Sequence, residues 1–312
     1  MAILEDRRLL VKIAHMYYEE RATQSQIAAK IGVSRSLISK YLAKARDQGI
    51  VEIIIHEDDD QKYRKLESKI EQQYGLREVI CIDSVEYESS KIRLGNAASQ
   101  YLLRVIKENQ IVGISSGTTL NEVSKAVSTN QEFPSVTFVP LVGGVGNERV
   151  DIHSNYLVAR FGEELKSNYE LLHVPVIVDS KEAKEVMMRQ PSIQKVFRMA
   201  ENSDIAIVGI GGTPEHSTMV KSYLGTEKED LFKAQEVVGD ICYNFIDKDG
   251  NATNSPWNER VMALDLVKLK KIPLVIGVAS GSEKVQAIKA ALKGELVDVL
   301  ITDEATGIAL TE

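Results

Sequence analysis

Two stretches of the 312-residue chain share a spacing of small residues that suits an anion. "VGISSGTTL" (112–120) and "IGVASGSEKV" (276–285) both read as apolar strand, glycine, two residues, Ser-Gly, a hydroxyl and then a helical pattern. Glycine lets the backbone approach a ligand closely, and a helix start offers unpaired N–H groups and the positive end of its dipole. Lys284 falls in the first turn of the second stretch, where a cation is disfavoured unless an anionic ligand compensates. Ser116 and Thr118 have hydroxyls but no evident general base beside them, and an unactivated hydroxyl is a poor nucleophile. These loops therefore read as a phosphate cradle rather than a catalytic centre. Neither is a Walker motif or a GxGxxG followed by the required acidic residue, so a nucleotide is not indicated.

Such loops need strands to hold them. Strand candidates are 79–82, 111–115, 136–142, 171–178, 205–211, 241–246, 274–279 and 297–302. Helical patterns lie between most of them, at 89–107, 119–128, 153–166, 181–189, 192–201, 282–292 and 304–310. Alternation of this kind predicts a mostly parallel sheet covered on both faces, with its ligand site at the carboxyl ends of the strands. A third glycine-marked strand end, "VPLVGGVGN" (139–147), brings Gly144 to the same rim.

The first fifty residues follow a different rule. Leu9, Leu10, Ile13, Ala14 and Tyr17 recur at helical spacing. Thr23 followed by Gln26 is a capping box that starts a second helix, which Gly32 ends. Ser34 caps a third helix that buries Leu37, Ile38, Tyr41, Leu42 and Ala45. Cap, turn and cap follow without a gap, which reads as a helix-turn-helix. Arg35, Ser36, Ser39 and Lys40 fall on the outer face of its second helix and would enter the major groove. Arg35 suits guanine, the serines a base or a phosphate, and Lys40 a phosphate. Thr23 and Gln24, at the preceding helix start, suit phosphate through their backbone N–H groups. "GIVEIII" (49–55) reads as a short strand that completes this domain or forms a wing.

Charge supports the division. The whole chain has a net charge of −7, but residues 1–56 hold nine Lys/Arg against six Asp/Glu, or +3, leaving −10 for the remainder. A basic head on an acidic body suits a nucleic-acid-binding domain joined to one that does not touch phosphate backbone. The acidic run "HEDDDQK" (56–62) marks the joint, and "YRKLESKIEQQYGL" (63–76) is a helix that packs on the body or on another subunit. The expected domains are 1–56 for DNA binding, 57–77 for linker and connecting helix, and 78–312 for the effector site and oligomerisation. Cys81 and Cys242 sit in apolar runs as reduced, buried thiols, and no metal spacing occurs. The start "MAILEDRRLL" has no secretory pattern and no apolar run approaches a membrane span, so a cytoplasmic protein is expected.

In this order the parts resemble the SorC/DeoR-type sugar-binding transcriptional regulators. The head carries the resemblance in "YYEERATQSQIAAKIGVSRSLISKYL". The body carries it in "IVGISSGTT", "VPLVGGVG", "DIAIVGIGG", "VGDICYNFIDKDGN" and "VASGSEKVQAIKAAL". The resemblance implies an N-terminal helix-turn-helix, winged-helix-like, and a Rossmann-like α/β effector domain related in fold to phosphosugar isomerases and deaminases but used for binding. It implies a phosphorylated sugar or polyol effector, a double-stranded DNA operator and a homotetramer; no cofactor is expected. By the same resemblance, phosphate contacts fall on Gly117, Thr118, Thr119, Gly281, Ser282 and Lys284, and sugar hydroxyls on Asp240. The position before the Gly-Gly of the third strand end, a ligand-contacting Lys or Arg in some relatives, is Val142 here. That departure leaves His153 and Asn155 as candidates for the remaining polar contacts. The alternative is a phosphosugar isomerase or deaminase with an accessory helical domain, for which Asp240, Asp151 and His153 are the nominal bases.

Overall fold

The computed structural model describes residues 7–51, 62–84, 87–144, 149–213 and 236–312. The chain divides into two compact units, Met1–Lys62 and Tyr63–Glu312. The strand expected at 49–55, the acidic run and the end of the third glycine-marked loop lie partly or wholly outside the described residues.

In the first unit, α1 (Arg7–Tyr18), α2 (Gln24–Ile31) and α3 (Arg35–Asp47) form a three-helix head. The expected caps set its turns. Gln26 N–H donates to Thr23 Oγ1 at 3.3 Å while Thr23 N–H donates to Gln26 Oε1 at 2.9 Å, so two orphan donors of α2 are satisfied reciprocally. Gly32 ends α2 at φ 79°, in the left-handed region. Ser34 Oγ then accepts from Leu37 N–H. Ile13, Ile27, Ile38 and Ala45 are fully buried between the helices. Burial of each of the isoleucines contributes about 1.5–3 kcal/mol.

The second unit begins with α4 (Arg64–Tyr74), which packs on the body through Ile70. It is followed by β1 (Glu78–Ile82), α5 (Tyr87–Val105), β2 (Ile111–Ile114), α6 (Thr118–Ala126), β3 (Thr137–Pro140), α7 (Ser154–Leu165), β4 (Asn168–Tyr169), α8 (Lys181–Met188), α9 (Pro191–Glu201) and β5 (Ile205–Gly211). Then come β6 (Gly239–Ile241), β7 (Asn244–Ile246), α10 (Leu266–Leu269), β8 (Val275–Val278), α11 (Val285–Lys293), β9 (Val299–Asp303) and α12 (Glu304–Leu310). The main sheet has the order β1-β9-β8-β5-β2-β3-β4, with every pairing parallel. β5, β8 and β9 are apolar almost throughout because helices cover both of their faces. β1 is an edge strand, and α4 shields its outer side. Glu71 accepts from Val79 N–H at 2.9 Å and Glu67 from Cys81 N–H at 2.8 Å.

Two strand expectations fail. Residues 171–178 form no strand: Pro175 cannot donate to a ladder, and the segment makes only isolated bridges, Gly144 to Pro175 and Ile177 to Val261. Residues 241–246 are not one strand but the tip of the antiparallel hairpin β6–β7, which hangs on β5 through Ile210 and Gly211.

Candidate functional site

The topology fixes where a ligand enters. From β2 the chain moves outward to β3 and β4, and from the neighbouring β5 it moves the other way to β8 and β9. A crevice opens beyond the carboxyl ends of strands at such a reversal. A pocket lies there. It is lined by residues 115–120 after β2, residues 209–212 at the end of β5, Val278, Glu283 and Lys284 around the end of β8, Ile152, and Asp240, Cys242 and Tyr243 of the hairpin.

Gly117 precedes α6 at φ 132°, ψ 165°, a region open essentially to glycine alone. A β-carbon there would meet no atom within 4 Å, so backbone torsion and not crowding requires the glycine. Its N–H donates to Ile152 O and its carbonyl accepts from Asn121 N–H, each at 3.0 Å, which locks the turn. No side chain caps α6, so the amides of Thr118, Thr119 and Leu120 have no partner within the helix, and all three residues line the pocket. Gly281 repeats the conformation at φ 118°, ψ 141°, as the shared spacing predicts. Its N–H is taken by Thr306 Oγ1, however, at 2.9 Å.

The acidic side of the pocket is built by the hairpin. Asp240 pairs with Gly211 across β5–β6, and a β-carbon at 211 would stand 2.0 Å from Asp240 Oδ1. Glycine at 211 is therefore what makes room for the carboxylate. Asp240 is buried, and burial pushes its carboxyl up to about 6; the Tyr243 N–H it accepts at 3.2 Å and the nearby Lys284 charge offset this only in part. Burial likewise pulls the Lys284 ammonium down, against the favourable charges of Glu283 and Asp240, and Lys91 lowers it further. Both charges are thus under-solvated, so an anion beside Lys284 and hydroxyl donors beside Asp240 would each replace missing water.

The hairpin tip is strained. Cys242 and Tyr243 are its two turn residues, at φ 50° and 59°, the signature of a type I′ turn that normally takes Asn-Gly. The surroundings hold them there. Asn244 Nδ2 donates to Cys242 O at 3.1 Å and Leu264 O at 2.9 Å, Trp257 Nε1 donates to Tyr243 O at 2.7 Å, and Tyr243 Oη bonds Ser116 Oγ at 2.5 Å. The Cys242 thiol is pushed up to about 12, chiefly by burial, and is no nucleophile at neutral pH.

Of the effector residues expected from sequence, the pocket gathers Ser116, Gly117, Thr118, Thr119, Asp240 and Lys284. It does not gather the rest. Gly144 lies against the Val174–Pro175 backbone, where its N–H donates to Val174 O at 2.8 Å. Asn155 spends its amide on Leu172, donating to the carbonyl at 3.0 Å and accepting the N–H at 2.9 Å. His153 is a buried residue at the start of α7, adjoining pocket-lining Ile152 but not itself lining the pocket. Gly281 and Ser282 do not line it, although a β-carbon at 281 would stand 2.6 Å from the Glu283 carboxylate that does. Tyr243, Ser115 and Glu283 line it without having been singled out by sequence. Val142 is fully buried and bridged to Ala263.

On the head, Arg35, Ser36, Ser39 and Lys40 are all exposed on one face of α3, opposite buried Ile38, Tyr41, Leu42 and Ala45. Thr23 is exposed and Gln24 partly so at the start of α2, but the Thr23 N–H expected to meet a phosphate is spent within the chain, on Gln26 Oε1 at 2.9 Å. Among the described residues no cluster of three metal-ligating side chains occurs, and no helix is long and apolar enough to cross a membrane.

The body matches a family model described as "Putative sugar-binding domain" over residues 59–311. The head matches a winged helix-turn-helix DNA-binding model over residues 13–52. The chain is 31% identical over 309 residues to the deoxyribonucleoside regulator of Bacillus subtilis (strain 168), covering 98% of each chain. It is 30% identical over 306 residues to the sorbitol operon regulator of Klebsiella pneumoniae, covering 97% of each. The crystal structure of that full-length sorbitol operon regulator superposes with a TM-score of 0.77 over 99% of both chains.

Proposed function

The chain belongs to the SorC/DeoR-type family of sugar-binding transcriptional regulators, and from that membership we propose that it binds an operator under the control of a phosphorylated sugar or polyol. One observation supports the effector's chemistry above the others. The uncapped start of α6 and the under-solvated Lys284 line the same pocket as the buried Asp240 carboxylate. A phosphate fits the first two and a hydroxylated carbon chain fits the third. The loop 115–120 and Lys284 hold the phosphate and Asp240 accepts from the sugar's hydroxyls.

The pocket binds and does not turn its ligand over. Among the described residues no carboxylate or histidine is hydrogen-bonded to its Ser116 or Thr118 hydroxyl, its thiol is buried, and the relatives at 30–31% identity are named a deoxyribonucleoside regulator and a sorbitol operon regulator. Arg35, Ser36, Ser39 and Lys40 read the major groove, and Gln24 at the start of α2 contacts a phosphate. One such head covers little DNA, so the protein acts as a homo-oligomer, a tetramer, that presents paired heads in the cytoplasm.

A thermal-shift screen of phosphorylated pentoses, hexoses and polyols tests the reading, with each unphosphorylated counterpart alongside. A ligand selective for the folded state raises the melting temperature by mass action. At least one phosphorylated compound is expected to do so and to change operator binding. Equal shifts with and without the phosphate would remove the phosphate from the assignment, and conversion of the compound would make the pocket an active site.

A further inference from the structure

The turn between α1 and α2 holds a residue of the wrong type for its backbone. Arg21 lies in the left-handed region at φ 55°, where glycine is the ordinary occupant and a side chain is uphill. It is not there to pack, because it is exposed. Nor does it answer a carboxylate. The adjacent Glu19 and Glu20 both engage His15, at 2.8 and 3.6 Å, and among the described residues Arg21 forms no ion pair or hydrogen bond. Exposed, without a partner among the described residues and set in a conformation that opposes a side chain, this arginine is placed to meet a partner outside the chain.

Its neighbours indicate which. A concave face of the head is lined by Tyr17, Tyr18, Arg21, Thr23, Gln24 and Arg35. Two guanidinium groups thus bracket the start of α2, the helix that in this motif crosses the DNA backbone. Tyr18 stands edge-on to Tyr17 with 39% of its surface exposed, leaving its phenol available beside them. A guanidinium is a fork for phosphate oxygens, and contacts of this kind position a reading helix without specifying sequence.

We propose that Arg21 is a phosphate-clamping residue of the DNA interface, gripping the backbone beside α2 while Arg35 on α3 reaches the groove. The proposal rests on the DNA-binding reading above. Its test needs no operator, because a phosphate contact acts on any duplex. The full chain is titrated onto a 30-base-pair duplex of random sequence between 50 and 200 mM salt. One phosphate contact is worth about 0.9 in the slope of log affinity against log salt. Arg21→Gly should therefore flatten the slope by about 0.9 per engaged head, so that across that range wild type loses about 3.5-fold more affinity than the variant for each head engaged. Arg21→Lys should keep the slope. The melting temperature distinguishes a clamp from a structural role, since glycine relieves the turn and Arg21→Gly should melt no lower than wild type. Arg21→Asn, neutral and tolerant of this backbone, is the second variant and should match Arg21→Gly in slope. A slope unchanged in both neutral variants overturns the clamp while leaving the DNA reading in place. Lowered melting together with lost affinity in both makes Arg21 structural. A wild-type chain that binds no duplex at any salt refutes the DNA reading and this inference with it.

Discussion

Replacing Asp240 by Asn should make the protein more stable and less able to respond. Asn keeps the shape, and its carbonyl can still accept the Tyr243 N–H now bonded at 3.2 Å. What it removes is a buried charge. The carboxyl ordinarily titrates at 3.8 and here is pushed up to about 6 by burial, a gap worth about 3 kcal/mol at 1.36 kcal/mol per pH unit. Folded Asp240 therefore holds its proton more tightly than the unfolded chain does. Its contribution is fully favourable below pH 3.8 and is lost as pH rises through about 6. At pH 8 wild type carries the whole penalty and Asp240→Asn carries none. The variant should be up to about 3 kcal/mol more stable there, or about 6–12 °C in melting temperature for a domain of this size, with the two curves converging near pH 4. Urea titrations at closely spaced pH values would measure it, and the most active phosphosugar of the screen should lose affinity for the variant. Parallel stability curves from pH 4 to 8 would show that Asp240 is not the under-solvated carboxylate described here.

Three further outcomes follow from the same geometry. Lys284→Ala should weaken binding of that phosphosugar by about 10- to 100-fold, the worth of a hydrogen bond to a charged group, while effector-free DNA binding stays as in wild type; calorimetry and gel shifts read the two separately. Gly117→Ala adds a methyl group to open space, so any loss of stability, expected at about 1–3 kcal/mol by chemical denaturation, reports backbone torsion alone, and a neutral result would remove torsion as the reason for glycine. Asn155→Ala should destabilise by about 1–3 kcal/mol by leaving both polar groups of Leu172 unpaired, yet leave effector affinity unchanged; a selective loss of affinity would return Asn155 to the ligand.

What the sequence makes legible is local. Thr23, Gln26, Gly32 and Ser34 state their helix ends because caps act over three or four residues. The two Ser-Gly loops announce themselves through glycines whose torsions, φ 132° and 118°, no other residue adopts at ease. The strand misread at 171–178 is an apolar run like a buried strand, and only its failure to find neighbours in the sheet distinguishes it. The hairpin is hidden for the opposite reason. Its turn is Cys242-Tyr243, a pair with no turn propensity, held by Asn244 and Trp257 from outside the turn. Tyr243 in the pocket could not be foreseen, since its place depends on that imposed turn. The one available signal was its position three residues after Asp240.

The two carboxylates of α4 that meet β1 have a wider consequence. Glu67 and Glu71 stand one helical turn apart, about 6 Å along the axis, and the alternate amides Val79 and Cys81 are about 6.6–6.8 Å apart along the strand. The near match lets one helix occupy, with two side chains, hydrogen-bonding positions that another strand would otherwise claim. At the far end of the sheet β4 is only two residues long, too short to template a neighbour. Both rims are thus closed to strand addition, one by a borrowed acceptor row and the other by brevity. Copies of the body that associate must do so through helices and loops rather than by extending a common sheet, which leaves assembly free of the register slips and runaway polymerisation that open sheet edges invite.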